Sequence, residues 1–369
     1  MQPFLAVPII AALLHRAYSR KSLTPLGLVV AGLTAIAHAL NPWSLPLILL
    51  LVFYVGGTKA TKVKHDVKAQ LTLSATGSHG GEGARTHNQV LANSIVATVL
   101  SLLHAWVLRK NEAGGSEPTA ECFSNGAHAA DLLVVGIVAN YASVAADTFS
   151  SELGILSKSH PRLITSPTLR VVPPGTNGGV TATGLIAGVF GAFTIAFTSA
   201  LLLPFCTGFT LDSVQDRAAW IIGVTIWGTG GSLLDSVLGG VLQASVVDKR
   251  SGKVVEGSGG KKVLIHPSAT KSSGAEGGSG TSSETTGAHL RKTEAVANTA
   301  AFKGTSVTGT STGSGSGKES AHHESRRVES GWDILDNNGV NVLMAFLMSV
   351  GAMGVAGYVW DLSVLDAFV

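Results

Sequence analysis

The apolar residues of this chain fall in long blocks, neither on one helical face nor in strand alternation. Eight blocks can be marked, roughly 2–18, 24–40, 43–58, 88–108, 128–146, 179–205, 217–247 and 338–360. A helix needs about 20 apolar residues to cross a hydrocarbon layer, so blocks of this kind are buried in lipid rather than in a water-surrounded core. The pattern predicts an all-α fold, a polytopic membrane helix bundle of about eight (seven to eight) transmembrane helices. The first block, Pro3 to Leu14, is short for a span and lacks a small-residue cleavage site, so it reads as a retained helix. Gly223, Gly228, Gly230, Gly231, Gly239 and Gly240 crowd the seventh. Small residues let helices approach closely in lipid. The repeated Gly-Gly also predicts a re-entrant or broken section lining a polar cavity.

Residues 248–331 are different in kind: Gly, Ser, Thr and scattered charges dominate, with almost no aromatic side chain. Such a stretch cannot bury enough apolar surface to offset chain entropy, and it reads as a disordered cytosolic loop. It divides a 1–247 transmembrane bundle with cytosolic active-site loops from a last helix within 332–369. A smaller polar insert, about 64–86, reads the same way.

Composition supports the membrane reading. The chain is 45% hydrophobic and only 13% charged, with mean hydropathy +0.35, where a soluble domain carries about 25% charge. A net charge of +3 without a basic patch gives no basis for a nucleic-acid partner. The basic residues instead set orientation. Connections after helices one, three, five and seven carry 3, 5, 3 and 12 Lys and Arg; those after two, four and six carry 0, 2 and 1. The connection after helix seven is too long to count under the positive-inside rule, but without it the split is still 11 against 3, so the odd connections are expected to be cytoplasmic and both termini non-cytosolic. The chain is expected to be a multi-pass protein of the endoplasmic reticulum or another endomembrane, the compartment not following from the charge pattern. Cys122 and Cys206 both fall on the non-cytosolic side, where a disulfide is permitted.

Polar motifs gather on the cytosolic side. Asp147-Thr148-Phe149-Ser150-Ser151-Glu152-Leu153-Gly154, Arg162-Leu163-Ile164-Thr165 and Val172-Pro173-Pro174-Gly175-Thr176-Asn177-Gly178-Gly179-Val180 form one loop between two apolar blocks. Ionisable groups at that depth are costly and mark substrate or ion sites. The Gly175, Thr176, Asn177, Gly178, Gly179 turn precedes a helix N-terminus, where free N–H groups favour phosphate; with Arg162 and Arg170 it reads as an anion cradle, though it is also an ordinary turn composition. Asp147, Glu152, Asp235 and Asp336 are carboxylates in or beside apolar helices and are the candidate catalytic groups. Asp147, Asp235 and Asp336 are hard oxygen ligands suited to Mg²⁺ bridged to nucleotide phosphates; ion pairing or helix capping is the plainer alternative. Lys59 is a candidate phosphate contact, or a snorkelling interfacial residue. Asn337 and Asn338 are candidate nucleotide ligands, or caps of the last helix.

These motifs resemble the transmembrane protein 19 family, over about residues 20–247 and 330–360. The resemblance rests on Ser22-Leu23-Thr24, the Asp147–Gly154 block, Arg162–Thr165, Val172–Val180, Asp235-Ser236…Gly239 and Leu335-Asp336-Asn337-Asn338…Asn341. The family includes a plant phytyl-phosphate kinase, and the Asp-Thr…Pro-Gly-Thr-Asn-Gly layout is similar to that of CTP-dependent polyprenol kinases. The resemblance implies a kinase that uses Mg²⁺ and CTP on an isoprenyl monophosphate or related membrane lipid. Asp147, Asp235 and Asp336 would serve metal and nucleotide, and the 173–179 turn the phosphates. A carrier or non-catalytic lipid-binding protein is the alternative reading of the same intramembrane acids.

Overall fold

Helix α6 (Ala130–Gly154) is the axis of the bundle, with almost every residue from Asp131 to Ala146 buried. Its sequence explains the position. Gly136, Ala139, Ala142, Ser143, Ala145 and Ala146 leave a helix thin enough for neighbours to approach on all sides, as packing in lipid requires. Around it stand α3 (Leu45–Lys62), α5 (His87–Ala113), α7 (Ala182–Leu202), α8 (Leu211–Leu242) and α9 (Asn337–Trp360), all in contact with α6. The computed structural model describes residues 3–76, 78, 80, 83–113, 122–206, 210–263 and 326–368.

Among the described residues, these six helices are long and apolar enough to cross a membrane. The other two apolar helices, α1 (Pro3–Ser19) and α2 (Pro25–Ala39), have 17 and 15 residues. All eight apolar blocks are therefore helices, and two of them fall short of a full span. Alternate connections lie at opposite ends. One end joins the loops before α2, α5, α7 and α9. At the other, Cys122 and Cys206 are disulfide-bonded, Phe123 packs its ring on Phe205, Trp220 and Trp360, and Lys110 donates to Phe368 O. The permitted disulfide is formed.

Three expectations change. The glycine-rich seventh block is neither re-entrant nor broken: α8 runs unbroken from Leu211 to Leu242. Its glycines give close approach instead, since a Cβ at Gly231 would stand 2.5 Å from Ser143 Cβ and one at Gly228 2.8 Å from Ala142 Cβ. Second, Asp147–Gly154 is not loop but the last two turns of α6, because polar side chains end a hydropathy run without ending the backbone ladder. Third, the 248–331 stretch is ordered at both ends. Strand β4 (Ser245–Asp248) pairs antiparallel with β5 (Val254–Glu256) and with β6 (Arg326–Ser330), and β1 (Leu73–Ser74) adds in parallel beside β5. Val246, Val247, Val254 and Val255 are buried, so short Val-Val pairs suffice where neighbouring elements cover them. The β4–β5 turn is fixed by Asp248 Oδ1, which accepts from Ser251 N at 2.7 Å and from Arg250 N at 3.1 Å; the Ser251 N–H holds that carboxyl below the usual carboxylate range. Residues 264–325 lie outside the described residues. The 64–86 insert likewise contains α4 (His65–Leu71) and β1.

Candidate functional site

Between the helix ends and this small sheet lies a cavity of about 930 Å³. The α6 and α8 termini form its floor, the 174–181 segment one wall, and α5 and β5 others. Two further strands, β2 (Arg162–Leu163) and β3 (Gly179–Val180), pair antiparallel and lay the proline–glycine turn against α8. Gly178 has φ +78°, and a Cβ there would meet Ser236 O and Gly240 Cα, each at 2.8 Å. Only glycine permits both that backbone shape and that approach. The turn is thereby held beside the helical turn of α8 that carries Asp235 and Ser236.

Asp147 on α6 and Asp235 on α8 both line the cavity, and their carboxyl groups lie close enough to interact directly. Two carboxyl groups in contact cannot both carry charge unless a proton or a cation lies between them. Asn341, one turn into α9, brings its amide nitrogen to 3.3 Å from Asp235 Oδ1 and 3.1 Å from Asn337 O when that amide is oriented to satisfy its neighbours. Thr148 and Ser236, each following one of the aspartates, add hydroxyls to the lining. Asp336, Asn337 and Gly175 through Gly179 line the same space.

Other assignments made from the sequence are corrected. Among the described residues no three acidic, histidine or cysteine side chains come together to hold a metal, so Asp147, Asp235 and Asp336 are not a three-acid set. Asp336 caps α9, its Oδ1 accepting from Gly339 N at 2.8 Å, as a short acceptor at a helix start does. Glu152 also lines the cavity, but its carboxylate is engaged: it accepts from Lys68 Nζ at 2.5 Å and Thr61 Oγ1 at 2.8 Å, with the Lys68 side chain buried. This is a buried ion pair rather than a catalytic acid. Arg170 pairs with Glu329 at 2.6 Å and ties the α6–α7 connection to β6. Arg162 is exposed and donates to Leu169 O, and Lys59 is exposed on α3; neither lines the cavity, nor does Arg170. Asn338 donates to Gly259 O at 3.0 Å and also lies off the lining. The turn itself is less open than an anion cradle would be. The Thr176, Asn177 and Gly179 N–H groups already donate, to Pro173 O, Ser245 Oγ and Thr176 O.

One cavity residue was missed. Arg85, at the C-terminal end of the polar insert, lines the cavity, and its guanidinium donates to Thr61 Oγ1 at 3.0 Å. No carboxylate among the described residues lies within ion-pairing distance of it. In sequence it had no signal beyond being the basic residue just before α5.

The chain belongs to the family described as integral membrane protein DUF92, whose model matches residues 8–349, and the family resemblance read from the motifs is borne out. It is 34% identical over 250 residues to Protein PGR of Arabidopsis thaliana, covering 68% of this chain and 82% of that protein. An uncharacterized membrane protein of Methanocaldococcus jannaschii, MJ0933, is 30% identical over 197 residues, 53% of this chain and 65% of its own length. Protein VTE6, chloroplastic, also of Arabidopsis thaliana, is 28% identical over 155 residues, 42% of this chain and 40% of that protein. No solved structure matches the chain.

Proposed function

We propose that this member of the integral membrane protein DUF92 family transfers a phosphoryl group from a nucleoside triphosphate, CTP in the first instance, to a lipid-embedded isoprenyl monophosphate. The observation that carries the reading is the contact between Asp147 and Asp235 at the floor of a polar cavity formed at the ends of apolar helices. Two carboxylates with an amide neighbour fit Mg²⁺, which is usually held by one or two carboxylates plus substrate phosphates rather than by an all-protein cage. Asp147 and Asp235 would hold it, and it would supply neutralisation of the charge on the transferred phosphoryl group. The Asp336 carboxylate, committed to its helix, keeps Asn337 and Asn341 at the edge of the same site.

In the transfer, a non-bridging oxygen of the lipid phosphate forms the new P–O bond. The bond from the terminal phosphorus to the nucleotide's bridging oxygen breaks, and the nucleoside diphosphate leaves with that electron pair. A fully ionised lipid phosphate has no proton to lose, so no general base is required. The chain's task is then positioning and charge compensation, which suits a cavity whose remaining acids are paired or capping. The cavity opens at the end that the basic connections assign to the cytosol, where nucleotide is available.

The test is transfer of labelled terminal phosphate from CTP to a C20 isoprenyl monophosphate by the full chain in nanodiscs with Mg²⁺. Wild-type protein should transfer, and Asp147→Asn or Asp235→Asn should fall at least roughly a hundredfold, the scale of losing an electrostatic contact made in the transition state. Equal background from all three proteins would sink the proposal.

A further inference from the structure

We infer that Arg85 seats the phosphate of the lipid substrate and that a narrow apolar slot behind it takes the phosphate-proximal end of the isoprenoid tail. The inference rests on the proposed reaction only for the identity of the ligand; the slot and the arginine are features of the fold.

The slot, about 50 Å³, lies between α1, α2, α3 and α5. Leu13, Leu23, Ala31, Leu50 and Phe53 give it an apolar lining. It is not an isolated void, because Arg85, Gln89 and Asn93 line both the slot and the large polar cavity. Those three residues mark the boundary between a space suited to hydrocarbon and a space suited to phosphate. A monophosphate ester of a long branched alkene has that division in its own structure. Its headgroup would lie at the boundary and its tail among the helices.

Charge at the boundary points the same way. Lys68, Glu152 and Arg85 meet around the Thr61 hydroxyl. Glu152 is neutralised by Lys68, so the cluster holds one cation in excess, and that cation is Arg85. A guanidinium partly withdrawn from water, with no carboxylate partner among the described residues, favours an anion. Its planar fork fits phosphate oxygens better than a lysine would. Gln89 and Asn93, one helical turn apart on α5, supply neutral polar groups on the same face of the boundary.

The experiment uses the full chain in nanodiscs without nucleotide, so that binding is read apart from turnover. The probe is a C20 isoprenyl monophosphate with a diazirine on its phosphate-proximal isoprene unit; the control ligand is the corresponding alcohol. Photolabelling of the wild-type protein should fall on slot residues of α2, α3 and α5. Arg85→Ala should weaken phosphate-lipid binding roughly tenfold or more, as loss of a charge-assisted contact does, and leave alcohol binding unchanged. Arg85→Lys should restore part of the loss. Labels mapping outside the slot, an Arg85→Ala protein that binds like wild type, or equal loss of alcohol binding would each overturn the assignment. Slot labelling with no transfer in the presence of CTP would count against the proposed reaction while supporting this site.

Discussion

Replacing Gly178 by alanine should damage stability and activity together, and the structure sets the scale. The residue has φ +78°, a left-handed conformation that costs a residue with a Cβ about 1–2 kcal/mol. The added carbon would also stand 2.8 Å from both Ser236 O and Gly240 Cα. Those are backbone atoms of α8 and cannot rotate aside, so overpacking adds about 1–3 kcal/mol. The sum is about 2–5 kcal/mol, or displacement of the turn from the helical turn carrying Asp235. Gly175→Ala is the comparison. It too has positive φ, but its Cβ would meet one side-chain methyl, Thr72 Cγ2, at 2.8 Å, with the next atom 3.6 Å away. It should cost less. The assay is thermal unfolding of both variants in nanodiscs alongside CTP-dependent phosphate transfer. Gly178→Ala should lower both readouts further than Gly175→Ala. If Gly178→Ala unfolds at the wild-type temperature with full transfer, the argument that α8 fixes the turn is wrong.

Other outcomes follow from contacts already described. Gly231→Ala should destabilise the bundle by about 1–3 kcal/mol, because its Cβ would press on buried Ser143, whereas Gly230→Ala, with nothing within 4 Å, should be neutral or stabilise by up to about 1 kcal/mol in the same unfolding assay. In Tyr141→Phe the buried His38 loses its partner: Nδ1 already donates to Thr34 O, so Nε2 accepts from the tyrosine hydroxyl at 2.7 Å, and leaving it unmatched should cost about 1–3 kcal/mol in unfolding. Lys68→Met should cost about 3–5 kcal/mol by stranding Glu152, and Lys68→Met with Glu152→Met should cost less than the sum of the singles; additive losses would show that the pair is not coupled.

Much of the bundle was legible because hydrophobic blocks report burial in lipid directly. What hid the rest was local. Asp147, Ser150, Ser151 and Glu152 interrupt the hydropathy of α6 and so looked like loop, yet an α-helix tolerates polar side chains where its end meets a polar cavity. The β4–β5 hairpin was masked by the composition of the stretch around it; Val246-Val247 and Val254-Val255, joined through Asp248 and Gly252, were a strand–turn–strand signal on a shorter scale. The glycines of α8 were ambiguous between breaking a helix and admitting a neighbour, and only the position of α6 decides between them. Convergence of Asp147, Asp235 and the 175–179 turn followed from the sidedness of the loops. Which acids were already committed did not, because Lys68 lies 84 residues from Glu152 in sequence. Asp336-x-x-Gly339 is a helix-start pattern as readily as a ligand pattern, and the cap is what forms.

Whether Asp147 and Asp235 hold a divalent ion against a nucleotide phosphate is tested most directly by Mn²⁺ electron paramagnetic resonance on the full chain in nanodiscs, titrated with and without CTP. The account predicts that wild-type protein binds one Mn²⁺ more tightly when CTP is present, and that Asp147→Asn and Asp235→Asn each abolish that increment while remaining folded. An increment that survives in both variants, or none in the wild-type protein, would contradict it.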